Sequence, residues 1–235
     1  MSENATPQAA MPKVPYIKQT MMVGLAFFTI GLFWQVYDSL MPLFLKNFPQ
    51  FNTALIGLVM AGDNILALIL LPFMGRLSDR TRSRFGRRVP YIVVGAVLAA
   101  ICLLLVNIVH NMNEANPGAP ALVVFLMIST IFLLLFMCMY RTPAVSLMPD
   151  VTPKFVRSKA NAVINIMGAF GGMLALVLMM LFNNKSGPDA EGAYTIGYGN
   201  WAVIVPVAVL MVVAVVVMFL TVHENALVVF LMIST

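Results

Sequence analysis

Six apolar runs, at about 20–45, 53–74, 90–109, 120–148, 160–182 and 201–222, govern what this 235-residue chain can fold into. Each is long enough to cross a hydrocarbon core of about 30 Å, which takes about 20 helical residues. Backbone polar groups in hydrocarbon must be paired inside their own segment, so such runs predict an all-α membrane protein of six transmembrane helices. Composition agrees: 61% hydrophobic and 10% charged residues lie outside the soluble globular range. Residues 1–19, with Pro7, Pro12 and Pro15, read as a tail. They do not read as a cleavable signal, because the next apolar run is too long and holds Asp38.

Charge sets the orientation. Residues 75–92, GRLSDRTRSRFGRRVPYI, place Arg76, Arg80, Arg82, Arg84, Arg87 and Arg88 around a lone acid, Asp79. Such a segment is retained on the cytoplasmic side. Eleven of the 14 Lys and Arg fall in the tail, this hinge and the 149–159 segment, while the opposite loops hold only Lys46 and Lys185. Both termini are therefore expected to be cytoplasmic, in a multi-pass protein of the plasma or inner membrane. Topology accounts for the net charge of +5, so no nucleic-acid partner is implied. The same arginines suit lipid headgroups. Asn184-Lys185-Ser186 is formally a glycosylation sequon, but it abuts a helix end. Cys102 and Cys138 sit in separate apolar runs and read as packing residues, with no disulfide, metal or cofactor implied. With no HExxH or GxSxG, and with His110 and His223 placed at helix ends, an intramembrane enzyme is not indicated.

Polar residues inside spans carry the functional reading, because an intramembrane charge costs about 2.5–3.5 kcal/mol on insertion scales. Asp63 lies ten residues past Thr53, about 15 Å deep and close to the midplane. With Asn64 beside it, Asp63 is the candidate for cation or proton coupling, and Asp38 is next in line. Asp38 is about 12 Å from the end marked by Lys46, with Gln35 one turn earlier and Trp34 and Tyr37 adjoining. Two readings stand for that group: a sugar platform of aromatic rings beside hydrogen-bonding groups, or ordinary helix packing with an interfacial aromatic. Arg141 either pairs with Asp63, Asp38 or substrate, or snorkels to the inner surface, with Pro143 expected to break the helix beside it. Asn161 and Asn165 share an inward face of span five with Gly168 and Gly172, and serve either substrate or neighbouring helices. Gly57 with Ala61, and Gly168 with Gly172, form small-xxx-small pairs that predict close helix approach.

Read in order, the spans are polar, polar, apolar, then polar, polar, apolar. Two inverted three-helix repeats would give this pattern if the first two helices of each lined a water-filled path and the third faced lipid. Ser-Leu-Met-Pro recurs at 39–42 and 146–149, where such repeats would align.

Gly75-Arg76-Leu77-Ser78-Asp79-Arg80, followed by Gly86-Arg87-Arg88, resembles the loop 2–3 signature of the major facilitator superfamily. Thr81-Arg82-Ser83-Arg84-Phe85-Gly86 with Pro90-Tyr91-Ile92 is similar to the corresponding run of the glycoside-pentoside-hexuronide cation symporters and their sucrose-transporter relatives. Asp63-Asn64-Ile65 with Pro72, and the stretch from Tyr140-Arg141-Thr142-Pro143 through Met148-Pro149-Asp150 to Arg157-Ser158-Lys159-Ala160-Asn161, strengthen the sucrose-like branch. The resemblance covers residues 20 to 225 and implies cation-driven symport of a sugar or glycoside by alternating access. It also implies a gating latch made by Gly75, Asp79, Arg80, Gly86, Arg87 and Arg88. In melibiose-type carriers the cation-ligating acids of span two would fall on Ala67 and Leu71, neither of which can bind a cation. Protons are thus expected in place of sodium ions.

Carriers of this family have two six-helix halves, and 20–225 would supply the N-terminal one, leaving a C-terminal half missing. Residues 226–235 repeat residues 121–130 letter for letter and read as a truncation or assembly scar, with a true short repeat as the alternative. The rival reading is a non-transporting membrane fragment or a half-carrier that associates with a partner.

Overall fold

The structure, a computed structural model, describes residues 16–81, 83, 86–115, 117–152, 156–182 and 200–221. The tail through Pro15, Arg82, Arg84, Phe85, Lys154, the 184–186 sequon and the 226–235 duplicate lie outside these. The described residues form six helices: α1 (Tyr16–Lys46), α2 (Thr53–Arg80), α3 (Val89–Ala115), α4 (Pro120–Val151), α5 (Arg157–Phe182) and α6 (Asn200–Thr221). All six are long and apolar enough to cross a membrane.

Two helices outrun the apolar stretches that announced them. α2 continues to Arg80, so Gly75 to Arg80 are helical, not loop. Ser78 Oγ donates to the Gly75 carbonyl and Thr81 N–H to the Ser78 carbonyl, which satisfies backbone groups in this polar last turn. At the other end Asn52 caps α2 by accepting the Leu55 N–H at 2.8 Å. α3 runs to Ala115, so His110 sits inside the helix and is fully buried, not at a helix end. α4 passes unbroken through Pro143, where a break was expected, and also through Pro149. In a packed membrane helix the neighbours compensate for the missing N–H.

The packing respects the two-repeat reading. Exchanging α1, α2, α3 for α4, α5, α6 turns the α1–α5 contact into α4–α2 and the α3–α4 contact into α6–α1, while α1–α4 and α3–α6 map onto themselves; all of these contacts are present. Tyr140, late in α4, donates to the carbonyl of Ala26, early in α1, as two helices of opposite direction require. Thr29 shares that hydroxyl. The apolar core centres on α1, with Phe33, Tyr37, Phe44 and Leu45 against Leu133 and Met137 of α4, Val106 of α3 and Met211 of α6. α3 packs one side against α4 and α6, and its other side, with Val94, Ile101, Leu105, Ile108 and Met112 exposed, is the apolar stripe its sparse polarity suggested for lipid.

α1 and α5 cross at glycine. A Cβ on Gly31 would fall on the Gly168 carbonyl, and one on Gly171 would fall on the Phe28 carbonyl, 3.0 Å from the Leu32 nitrogen. Only hydrogen fits at these two positions, whereas the foreseen pair lies at the same crossing with more room: a Cβ on Gly168 would stand 3.4 Å from the Phe27 carbonyl oxygen and one on Gly172 3.8 Å from that of Gly31. At Gly57 a Cβ would meet nothing within 4 Å, so the Gly57–Ala61 pair makes no close crossing. Gly171→Val is therefore expected to cost about 1–3 kcal/mol or more through overpacking. Gly57→Ala should be neutral or favourable by about 0.5–1 kcal/mol. Unfolding titrations in mixed detergent micelles check both, and equal effects at the two sites would refute the crossing.

Candidate functional site

Near mid-bundle, α1, α2 and α4 bring five of the expected side chains together. α1 presents an aromatic wall: Phe33, Trp34 and Tyr37 contact one another with ring centroids 5.6–5.9 Å apart. From α4, the Arg141 guanidinium lies 5.6 Å from the Trp34 ring centroid, a cation–π contact. Arg141 thus turns to the site instead of running down its helix to the inner end. Asp63 of α2 stands within direct electrostatic range of Asp38 and Tyr37, and of Cys138 beside Arg141.

Asp63 Oδ1 accepts from the Asn64 backbone N–H at 2.6 Å and from Asn64 Nδ2 at 2.8 Å. Asn64 therefore anchors the carboxylate and is itself exposed. Arg141 makes no ion pair among the described residues, and its recorded contact is with the Trp34 ring. The Trp34 indole N–H and the Tyr37 hydroxyl are buried without a hydrogen-bond partner. The cluster so holds two carboxylates, one guanidinium, an aromatic wall and two unspent polar groups, a set able to bind a neutral polyhydroxyl molecule and to exchange a proton.

Other candidates lie apart. Gln35, expected on the face of Asp38, packs toward α5 beside Gly172 and approaches Ser39 Oγ at 3.4 Å. The 100° step per residue separates the pair once α5 closes on one side of α1. Asn161 and Asn165 are exposed, and Asn165 Nδ2 donates to the Asn161 carbonyl at 2.8 Å, so the structure does not bring them to the Asp63 cluster.

At the arginine-rich end, Arg88 joins three helices. Its Nε donates to Asp150 of α4 at 2.6 Å and its Nη2 reaches Asp79 of α2 at 3.1 Å, while Arg87 approaches Asp150 at 3.7 Å. Gly86 precedes this pair at φ 110°, a backbone state open to glycine but strained for other residues. Arg80, expected in the latch, is exposed and forms no ion pair among the described residues. Asp150, which sequence reasoning quoted without assigning a role, is the acid that ties α4 in.

At the opposite end of α3 lies a buried polar group that the sequence reading passed over. His110 stacks on Phe44 at 4.2 Å, its Nε2 bonds Asn47 Nδ2 at 2.9 Å, and Asn113 Nδ2 donates to the Asn47 carbonyl at 2.9 Å. These bonds tie the tip of α1 to α3. The clue was the Asn-rich stretch 107–113, which an apolar run ending at 109 had cut in two.

Residues 22–229 match the sequence profile of the family described as MFS/sugar transport protein. The chain is 27% identical over 140 residues to an uncharacterized symporter of Synechocystis sp., an alignment covering 59% of this chain and 26% of that protein. It is 30% identical over 122 residues to a sucrose transport protein of Arabidopsis thaliana, covering 47% of this chain and 20% of that protein. The chain thus aligns with only 26% and 20% of the lengths of these relatives.

Proposed function

The chain belongs to the MFS/sugar transport protein family, and from that premise we propose that it serves proton-coupled symport of a sugar or glycoside by alternating access, as one six-helix half of a carrier. The observation that carries this reading is the convergence of Trp34, Tyr37, Asp38, Asp63 and Arg141 near mid-bundle. Asp63 takes the coupling proton. Trp34 and Tyr37 offer ring faces to the apolar side of a sugar and donors to its hydroxyls, and Arg141, held over Trp34, balances charge as the carboxylates gain and lose protons. Gln35, Asn64, Asn161 and Asn165 act around this centre as packing or secondary contacts.

The Asp79–Arg88–Asp150 bridge is the latch that closes the cytoplasmic end and opens during the cycle, with both termini on that side of the plasma or inner membrane. The sodium alternative is disfavoured because Ala67 and Leu71 supply no ligand on α2. The similarity to a sucrose transport protein supports the substrate class, and that to a symporter supports coupled transport.

The test is uptake of a labelled disaccharide into vesicles carrying the chain together with its second half. An inward proton gradient should drive accumulation, a protonophore should collapse it, and Trp34→Ala should raise KM about tenfold, the scale of losing roughly 1–2 kcal/mol of ring contact. Accumulation driven by a sodium gradient and indifferent to pH would replace the proton with sodium. Transport with an unchanged KM in Trp34→Ala would remove the aromatic platform.

A further inference from the structure

We propose that the exposed face of α2 from Ile65 to Arg80 is a binding site for an anionic phospholipid, with an acyl chain lying along Ile65, Ile69 and Phe73 and the phosphate held by Arg76 and Arg80. These five residues follow one another at intervals of four, four, three and four, which puts them on one face of the helix. Ile65, Ile69 and Phe73 are 59%, 64% and 58% exposed, and both arginines are exposed. No other helix is so little covered: only Met74 and Ser78 of α2 are buried.

Charge complementarity selects the occupant. The acids described at this end, Asp79 and Asp150, are engaged by Arg88 and Arg87. Arg76 and Arg80, one turn apart, make no ion pair among the described residues and keep their full charge for an outside anion. A free phosphate would use the two arginines and nothing else. A phospholipid uses the whole strip, because Ile65 to Phe73 spans about 12 Å along the helix, close to the acyl depth of one leaflet at about 15 Å. Arg76 then stands about one turn and Arg80 about two turns beyond Phe73, toward the level of the headgroup phosphates. The site requires that this face of α2 meet lipid, and it does not depend on which solute the carrier moves.

The purified chain, extracted with lipid and examined by native mass spectrometry, supplies the test, with phosphatidylglycerol and phosphatidylcholine offered in equal amounts. The expected result is retention of phosphatidylglycerol about 10- to 30-fold over phosphatidylcholine, the factor that two arginines near an anionic surface provide. Arg76→Gln with Arg80→Gln should abolish that preference, and Arg76→Lys with Arg80→Lys should keep most of it. Lys159→Gln, which removes an exposed cation at the start of α5, should leave it unchanged. Inorganic phosphate at millimolar concentration should not displace the lipid. Equal preference in the double Gln variant overturns the proposal, as does an equal loss in Lys159→Gln, which would mean diffuse charge attraction. Displacement by inorganic phosphate would reassign the arginines to a soluble anion. A dimer whose lipid retention ignores headgroup charge would give this face to a second copy of the chain.

Discussion

Asp63→Asn, made in the carrier completed by its second half, is expected to abolish accumulation of sugar against its gradient while downhill exchange continues. One coupled proton and an imposed difference of about one pH unit support roughly tenfold accumulation, since about 1.36 kcal/mol corresponds to a factor of ten. In the variant the ratio of internal to external sugar should fall to about one. Asn is the informative replacement because it keeps an acceptor for the Asn64 N–H and Nδ2, so the local helix geometry survives. It mimics a permanently neutral carboxyl. Asp38→Asn provides the contrast: Asp38 is the more exposed of the two acids, and its loss should weaken sugar affinity more than coupling. Should Asp63→Asn accumulate sugar with an unchanged dependence on pH, the coupling proton resides elsewhere, and Asp38 inherits the role.

The place of Asp63 along α2 could be read in the sequence, because distance along a helix is a count of residues from its start and Thr53 is indeed the first residue of α2. The six spans were legible for the same reason, that hydrocarbon thickness fixes the length of an apolar run. Helix ends were not, because apolar length reports where lipid stops and not where the helix stops; α2 and α3 both carry polar turns beyond it. Facing was harder still. Lipid tails are as apolar as a protein core, so an apolar stripe does not say which side packs. Gln35 and Asp38 parted company for this reason, and Gly57 met no neighbour while Gly171 met a backbone carbonyl. The aromatic and charged cluster was visible as residue types on three spans, but its assembly needed the α1–α4 approach that places Arg141 over Trp34. Asp150 shows the limit from the other direction. Nothing in its local sequence distinguishes it as Arg88's partner, because that contact exists only once the ends of α2, α3 and α4 meet.

The 235-residue chain alone is expected to insert into a bilayer and to show no saturable, pH-driven uptake. Asp38, Asn64, Arg141, Asn161 and Asn165 are all exposed on helices that lack a covering neighbour on that side. An unpaired polar group in hydrocarbon costs several kcal/mol, and lipid supplies no hydrogen bond, so these faces require either water or a protein partner. A solitary bundle can give them water only by admitting it into the membrane, which dissipates the gradient that symport uses. A second six-helix unit would enclose them in a path open to one side at a time. Supplying that half as a separate chain should therefore restore at least partial uptake, and removing residues 226–235 should change nothing measurable in the restored carrier. The deciding measurement is labelled-sugar uptake in proteoliposomes that contain this chain and no other protein. Robust, saturable uptake there would sink the half-carrier reading, and cross-linking through cysteines placed beside Asn64 on α2 and Asn165 on α5 would then be expected to reveal a working homodimer.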